Sequence, residues 1–388
     1  MRIFLAIPIS PHPGIHSNLW KANLHDPLVE MGHEVLLWGE DLLPYYDLDP
    51  EAPSTSPVRN AFSERLVAAA EGAHRERPLD LVLTYLSDSH VVPEAVERLK
   101  DHVGPVVNFS CNNVHQFHLV RRIAPHFTAC LVPEREALPR YRAAGARPLF
   151  FPMAANPSIY RPLEVAPSYD ATFAGQRYAD RAAGVLALCR AGVDAHVFGI
   201  GWPPAHPPAA AAAEAPGPGP LAGAGRALAA TLRGRNPLIA ARDRMAWREL
   251  CARHPGSIHG PVPDDDYVAL FSRSRISLGF LVVGDTHRTW RPLRQVRLRE
   301  FEGPMSGAFY VTGWLEELAE HYEVGREIVC YRSHGELADL CRHYLNHPEE
   351  RERIRRAGHA RARRCHSWRH RFEGLFDTLQ RDGVLRAR

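Results

Sequence analysis

Short apolar stretches alternate with amphipathic ones in two successive runs, and a proline-rich crossing at 151–167 separates the runs. No other feature constrains the fold as strongly. Strands joined through helices pair in parallel and carry helices on both faces. The first run predicts strands at 2–9, 33–38, 79–86, 105–109 and 128–132, with helices at 16–31, 61–73, 93–102 and 135–144. Gly32 and Gly145 stop two of these helices, and Pro93 stands in the first turn of another. The second run predicts strands at 170–174, 195–198, 275–283, 308–312 and 327–330. Its helices are expected at 180–191, 247–254, 264–272, 296–305, 314–321 and 335–345, and two more, 347–363 and 367–380, follow. Asp264, Asp265 and Asp266 suit the exposed N–H groups at a helix start.

The length of 388 residues agrees with two such halves. The expected division is an N-terminal α/β domain at 1–160, a C-terminal one at 168–365, and a last helical segment, 366–388. Residues 203–235 are low-complexity Pro/Ala/Gly sequence, read as a flexible insertion. Hydrophobic residues make up 45% and charged residues 23%, which excludes a disordered or fibrous chain. No run of eighteen apolar residues occurs, and the N-terminus reads as a buried strand rather than a signal peptide. A net charge of +3 is too small to imply nucleic acid binding. The seven cysteines are odd in number and form no C-x-x-C pair, so a reducing cytoplasm is expected.

Neither a G-x-G-x-x-G after the first strand nor a P-loop is present, which argues against a nicotinamide cofactor and a Walker-type NTPase. The strand expected at 170–174 ends in Gly175-Gln176-Arg177, with Arg181 in the first turn of the next helix. Glycine lets a ligand approach the backbone there. A helix start with two arginines suits a diphosphate. Glu302, near a helix start, can accept hydrogen bonds from vicinal ribose hydroxyls, or simply pair with Arg299 three residues back. His12/His16, His115/His118 and His366/His370 have ligand-like spacing, but no acidic or Cys partner completes a zinc set, so no metal is expected. Asp47-Leu-Asp49 is a D-x-D pattern that the sequence places in a Pro-rich loop, away from any strand end.

Residues 297–375 resemble the C-terminal domain of CgeB-type (spore-maturation) glycosyltransferases, relatives of the group 1 GT-B enzymes. The motifs carrying the likeness are R-x-F-E-x-x-x-S-G from Arg299, E-V-G-R-E-I-V-C-Y-R-S from Glu323, H-P-E-E-R from His347, and H-S-W-x-H-R-F from His366. Gly175, Arg177 and Arg181 are similar to that family's phosphate-binding element, and 153–162 to its interdomain linker. The resemblance implies a GT-B fold, with two Rossmann-like domains facing across a cleft. The C-terminal domain would hold the donor and the N-terminal domain the acceptor, with 366–388 packing back on the latter. The function implied is sugar transfer from a nucleotide diphosphate sugar to an unknown acceptor, without metal or cofactor. Glu302 would bind the ribose, and Arg177 and Arg181 the diphosphate.

Related retaining enzymes carry a second Glu eight positions before the ribose-binding one, where this chain has Arg294. Arg294 and Arg299 are therefore expected at the diphosphate, among the arginines at 288, 291, 294, 297 and 299. Candidate bases in strand-end loops are His16, Asp88 and His115. The 351–371 stretch holds nine arginines and one glutamate, a basic outer face that could also touch an anionic membrane surface. A nucleotide-sugar epimerase or hydrolase, and a non-catalytic nucleotide-sugar-binding protein, are the alternative functions. Donor turnover without acceptor would mark the first, and binding without turnover the second.

Overall fold

Twelve parallel strands build two separate sheets in a computed structural model that describes residues 1–9, 19–202 and 236–386. His16 and the expected insertion at 203–235 lie outside the described residues. The chain divides into two units, 1–159 with 365–388, and 160–364.

The first unit holds β1 (Arg2–Ala6), β2 (Glu34–Leu37), β3 (Leu81–Thr84), β4 (Val106–Phe109), β5 (Ala129–Val132) and β6 (Pro148–Phe150). They lie in the order β2-β1-β3-β4-β5-β6. Phe4 sits beside Leu36 on one side and Val82 on the other, so β1 is central and wholly buried. Strands covered on both faces read as unbroken apolar runs, which is why β1, β3 and β5 were legible. The Thr55–Glu76 helix covers one face with Phe62, Leu66, Val67 and Ala70, one stripe at helical spacing. The Trp368–Arg381 helix completes this unit. Ser367 caps it by accepting from His370 N, and Phe372, Leu375, Phe376 and Leu379 form its buried stripe. The Trp368 indole is fully buried, and its Nε1 donates to Asn23 Oδ1 at 2.6 Å.

The second unit holds β7 (Tyr169–Ala174), β8 (Ala195–Phe198), β9 (Ile258–His259), β10 (Ser274–Leu278), β11 (Tyr310–Gly313) and β12 (Val329–Tyr331). Their order is β12-β11-β10-β7-β8-β9. In each sheet the chain reverses its direction of winding at one place, between β1 and β3 and between β7 and β10. Ligands of open parallel sheets bind outside the carboxyl ends of strands at such a switch point.

Several boundaries differ from the sequence reading. β6 and β9 were not foreseen, being three and two residues long. The helix expected at 247–254 begins at Pro237, where the Asn236 side chain accepts from Leu238 N. The helix expected at 296–305 begins at Arg299, and that expected at 314–321 contracts to Leu318–His321. The helix expected at 16–31 is described from residue 19 on and includes a π-helical stretch, Lys21–His25, before Asp26–Glu30.

Candidate functional site

Gly175 leaves β7 at the switch point of the second sheet with φ +157°. A Cβ there would lie 2.6 Å from Arg299 Nη2 and 2.9 Å from Phe173 Cζ. Glycine is needed because a guanidinium occupies the space a side chain would take. The turn is fixed from its other side. Gly175 N donates to Phe198 O at 2.7 Å, and Trp202 Nε1 donates to Gly175 O at 2.6 Å. At Gly199 a Cβ would lie 2.5 Å from Gly175 O, so the two loops pack backbone on backbone.

Three arginines gather beside this turn. Arg181, the first residue of the Arg181–Arg190 helix, is fully buried. It donates to Gln176 O and to the Tyr178 hydroxyl, and its guanidinium lies 3.6 Å from the Tyr178 ring centre and 4.8 Å from that of Phe173. Arg299 donates from Nε to Ala174 O at 2.6 Å and lies 5.5 Å from the Phe173 ring centre. Arg297 donates to Val282 O and lies 5.6 Å from the Tyr178 ring centre. Among the described residues, none of the three has a carboxylate within ion-pair distance, and the Nε atoms of Arg181 and Arg297 have no hydrogen-bond partner. Burial, with Arg299 and Arg297 nearby, pushes Arg181 down to about 9. It remains a cation at neutral pH, and a buried cation without a counter-charge is costly. The arrangement is a receptor for an anion.

Glu300 and Glu302 stand on the Arg299–Met305 helix, both buried, and burial raises the pKa of each. Their surroundings separate them. Glu300 is satisfied internally, accepting from Thr312 Oγ1 at 3.0 Å and from Arg297 N at 2.9 Å. Glu302 accepts from the Tyr267 hydroxyl at 2.7 Å through Oε2, while Oε1 has no hydrogen-bond partner among the described residues. The alternative pairing of Glu302 with Arg299 is not an ion pair within 4.0 Å among the described residues.

The other expected donor residues lie apart. The Arg177 guanidinium packs 4.2 Å from the Trp247 ring centre and donates to Gly201 O. Arg294 is exposed and lines a second cavity of about 560 Å³, at the carboxyl ends of β10, β11 and β12, with Arg332, Trp314 and the Asp180–His334 pair. Arg297, which sequence reasoning placed behind Arg294, is the one near Arg181. The alternation of arginines at 291, 294, 297 and 299 does not reveal which will face Tyr178.

In the first unit, the carboxylate of Asp88, one of the candidate bases, is buried, accepts Arg122 N at 3.1 Å and Ile123 N at 3.0 Å, and lines neither of the two cavities of about 560 and 420 Å³. Burial pushes it up to about 6. His115 is exposed and lines neither of those two cavities. Asp47, dismissed on sequence, lines a cavity of about 420 Å³ at the β1/β3 switch point with Pro8, Tyr85 and Ser87. Loop 38–54 brings it there, a placement that spacing alone does not show.

No group of three or more His, Cys, Asp or Glu that could hold a metal occurs among the described residues, and none of their helices is long and apolar enough to cross a membrane. Several arginines of 351–371 are tied into the fold. Arg355 and Arg356 hold Glu352, and Arg371 donates to Met153 O and Cys365 O.

The family described as glycosyl transferase-like matches residues 221–377. No curated protein matches the sequence. Among solved structures, Anabaena HepE in complex with UDP-glucose is similar at 11% identity, covering 98% of this chain and 100% of that one, with a TM-score of 0.58. Sucrose-phosphate synthase from Thermosynechococcus elongatus matches at 12% identity over 99% of each chain, TM-score 0.58. AviGT4, a glycosyltransferase involved in avilamycin A biosynthesis, matches at 16% identity over 98% of this chain and 97% of that one, TM-score 0.55. These likenesses are of fold, and the fold is GT-B. The region matched by the family lies mostly in the second unit and runs into the last helix of the first.

Proposed function

We propose that the chain transfers a sugar from a nucleoside diphosphate sugar to a hydroxyl-bearing acceptor without a divalent metal. The observation that carries this reading is the set of three arginines without carboxylate partners around Gly175. As the acceptor oxygen bonds to the anomeric carbon, the bond from that carbon to the diphosphate oxygen breaks, and the hydroxyl proton passes to the released diphosphate or to water. The electron pair leaves on the diphosphate, and Arg181, Arg297 and Arg299 stabilise that charge in place of a metal. Glu302 accepts the ribose hydroxyls through the unpartnered Oε1. Arg177 shields the turn from the Trp247 side, and Arg294 meets the transferred sugar from the neighbouring cavity. The R-x-F-E run at Arg299 supports placing the chain near the CgeB-type enzymes, and an odd number of cysteines with no C-x-x-C pair supports a cytoplasmic location. HepE was solved with UDP-glucose, so uridine nucleotides are the first donors to try.

Calorimetric titration with UDP tests the site. Arg181→Met removes charge-assisted bonds of roughly 1.5–3 kcal/mol, an affinity loss of about ten- to hundredfold. The ligand-free protein should melt no lower than the parent, because an unpaired buried charge has gone. Glu302→Gln should weaken UDP by about tenfold yet leave its 2′,3′-dideoxy analogue nearly unchanged. Equal loss for both ligands would make Glu302 a structural partner of Tyr267 only. Unchanged UDP affinity in Arg181→Met overturns the site. Excess EDTA should leave the transfer rate within about twofold, since guanidiniums take the metal's electrostatic role; an abolished rate restored by manganese contradicts this.

A further inference from the structure

The cavity at the β1/β3 switch point differs in kind from the arginine cluster. Its walls are mostly apolar and aromatic, including Trp20, Tyr46, Tyr85, Leu86, Leu119 and Val120. Trp20 is held edge-on to Tyr85 and Phe109, each at 5.1 Å between ring centres, so the indole is a fixed wall. Among the described residues, the polar side chains that line it are mostly engaged within the protein, and Gln116 and Asp47 are the exceptions. Tyr46 donates to Tyr85 O at 3.0 Å, and the Tyr85 hydroxyl meets Cys111 Sγ at 2.9 Å. Ser87 Oγ bonds Ser89 and His90, and Ser110 Oγ donates to Asn113. Burial holds both tyrosines well above the usual phenol range, so they stay neutral. Asp47 is exposed and is the one charged residue among the described residues of the lining. Its carboxylate makes no ion pair or hydrogen bond with the described residues.

A sugar in such a cavity would bring many hydroxyls to walls that have few groups left to receive them, and each unpaired buried hydroxyl is penalised. A ring system with one or two hydroxyls meets no such penalty. We propose, on the reading that the protein is a glycosyltransferase, that this cavity receives the acceptor and that the acceptor is an apolar, ring-containing alcohol or phenol. Trp20 and Tyr85 pack against its ring, and Asp47 accepts the hydrogen bond of its hydroxyl. A volume of about 420 Å³ suits a ligand of two or three fused rings. Asp47 is a positioning residue here, and no proton transfer is assigned to it.

The test is calorimetry on the full chain saturated with UDP, at a pH where the probe phenol is neutral. The probes are 4-methylumbelliferone, 4-methylcoumarin (the same rings without the hydroxyl) and maltose. The expected result is 4-methylumbelliferone binding at least about tenfold more tightly than maltose. Trp20→Ala should weaken both coumarins by about tenfold or more, and Trp20→Phe by no more than about threefold. Asp47→Asn lies on the surface and leaves folding intact. It should weaken 4-methylumbelliferone by about three- to tenfold and 4-methylcoumarin not at all. Tighter binding of maltose overturns the proposal, as does coumarin binding that both Trp20→Phe and Trp20→Ala leave unchanged in proteins that still bind UDP. UDP binding without coumarin binding refutes the acceptor class and leaves the transferase reading standing. Failure of the parent protein to bind UDP or any other nucleoside diphosphate refutes the transferase reading, whatever the coumarins do.

Discussion

At the carboxyl end of β7 the chain crowds three guanidiniums around a glycine, whereas at the carboxyl end of β1 it lines a cavity with indole and phenol rings. Both places are switch points of parallel six-stranded sheets, so backbone topology does not explain the contrast. The side chains that follow each strand do. After β7 come Gly175, Tyr178 and Arg181. Near β1 and β3 come Pro8, Trp20 and Tyr85. One kind of ledge collects charge and the other collects apolar surface, which is the division of labour expected when a charged leaving group and a neutral nucleophile must be handled by one chain.

The contrast can be broken most severely at Gly199. Gly199→Ala sets a methyl against the Gly175 backbone, which cannot swing aside as a side chain would. It should destabilise the second unit by roughly 2–4 kcal/mol, read by urea unfolding, and abolish UDP binding. A variant that melts like the parent would show that the two loops are not tightly packed.

Gly175→Ala should act more gently. Its methyl meets the end of a flexible arginine, so Arg299 can move, at the cost of its bond to Ala174 O. UDP affinity should fall by about tenfold in calorimetry, with 4-methylumbelliferone binding in the first unit unchanged. Equal loss of both ligands would erase the distinction between the two ledges.

The smallest expected effect sharpens the contrast by showing that titration in the first unit belongs to its scaffold. Burial pushes Asp88 up from its usual 3.8 to about 6, and pushes His90 down from its usual 6.5 to about 4. Arg122 and Arg59 face Asp88, while His90 meets Leu42 O, Ser87 and the Tyr46 ring. The Asp88 contribution to stability is present below pH 3.8 and lost as pH rises through about 6. The His90 contribution is present above pH 6.5 and lost as pH falls toward about 4. The two slopes oppose each other, so the parent should vary little across that window. Asp88→Asn should uncover a stability that rises with pH there by about 1–2 kcal/mol, measured as urea midpoints at stepped pH. A falling curve would reverse the assignment.

Much of the fold was legible because both sheets are parallel and covered on both faces. Apolar runs such as Ile3–Ala6 and Leu81–Thr84 have few other uses. Pro148–Phe150 was lost against the prolines that follow it, and Ile258–His259 is too short to leave a period. Of the residues proposed to hold the donor, Gly175, Arg181, Arg299 and Glu302 could be singled out because each sits beside a strand end or helix start. Arg297 could not be told from its neighbours, since which arginine meets Tyr178 depends on how the loop before Arg299 turns. The surroundings of Asp88 were not legible, because a polar residue after a strand has two uses, ligand contact and loop capping, and the Arg122 and Ile123 amides on its carboxylate come from far along the chain. Asp47 was passed over because its loop reaches the end of β1 through space and not along the sequence.

Residues 365–388 belong to the first unit although the whole second unit is synthesised before them. On a ribosome adding about 5–20 residues per second, roughly 200 residues must be made in between, a delay on the order of 10–40 s. During that wait the carboxamide of Asn23 and the ring of Phe151 lack the Trp368 and Phe372 side chains that later meet them. The second unit, contiguous from 160 to 364, faces no such delay. The half that begins first is therefore finished last. A nascent chain stalled after the second unit should carry a completed anion site and a first unit that still lacks its last helix, open to chaperones or to a helix donated by another copy of the chain.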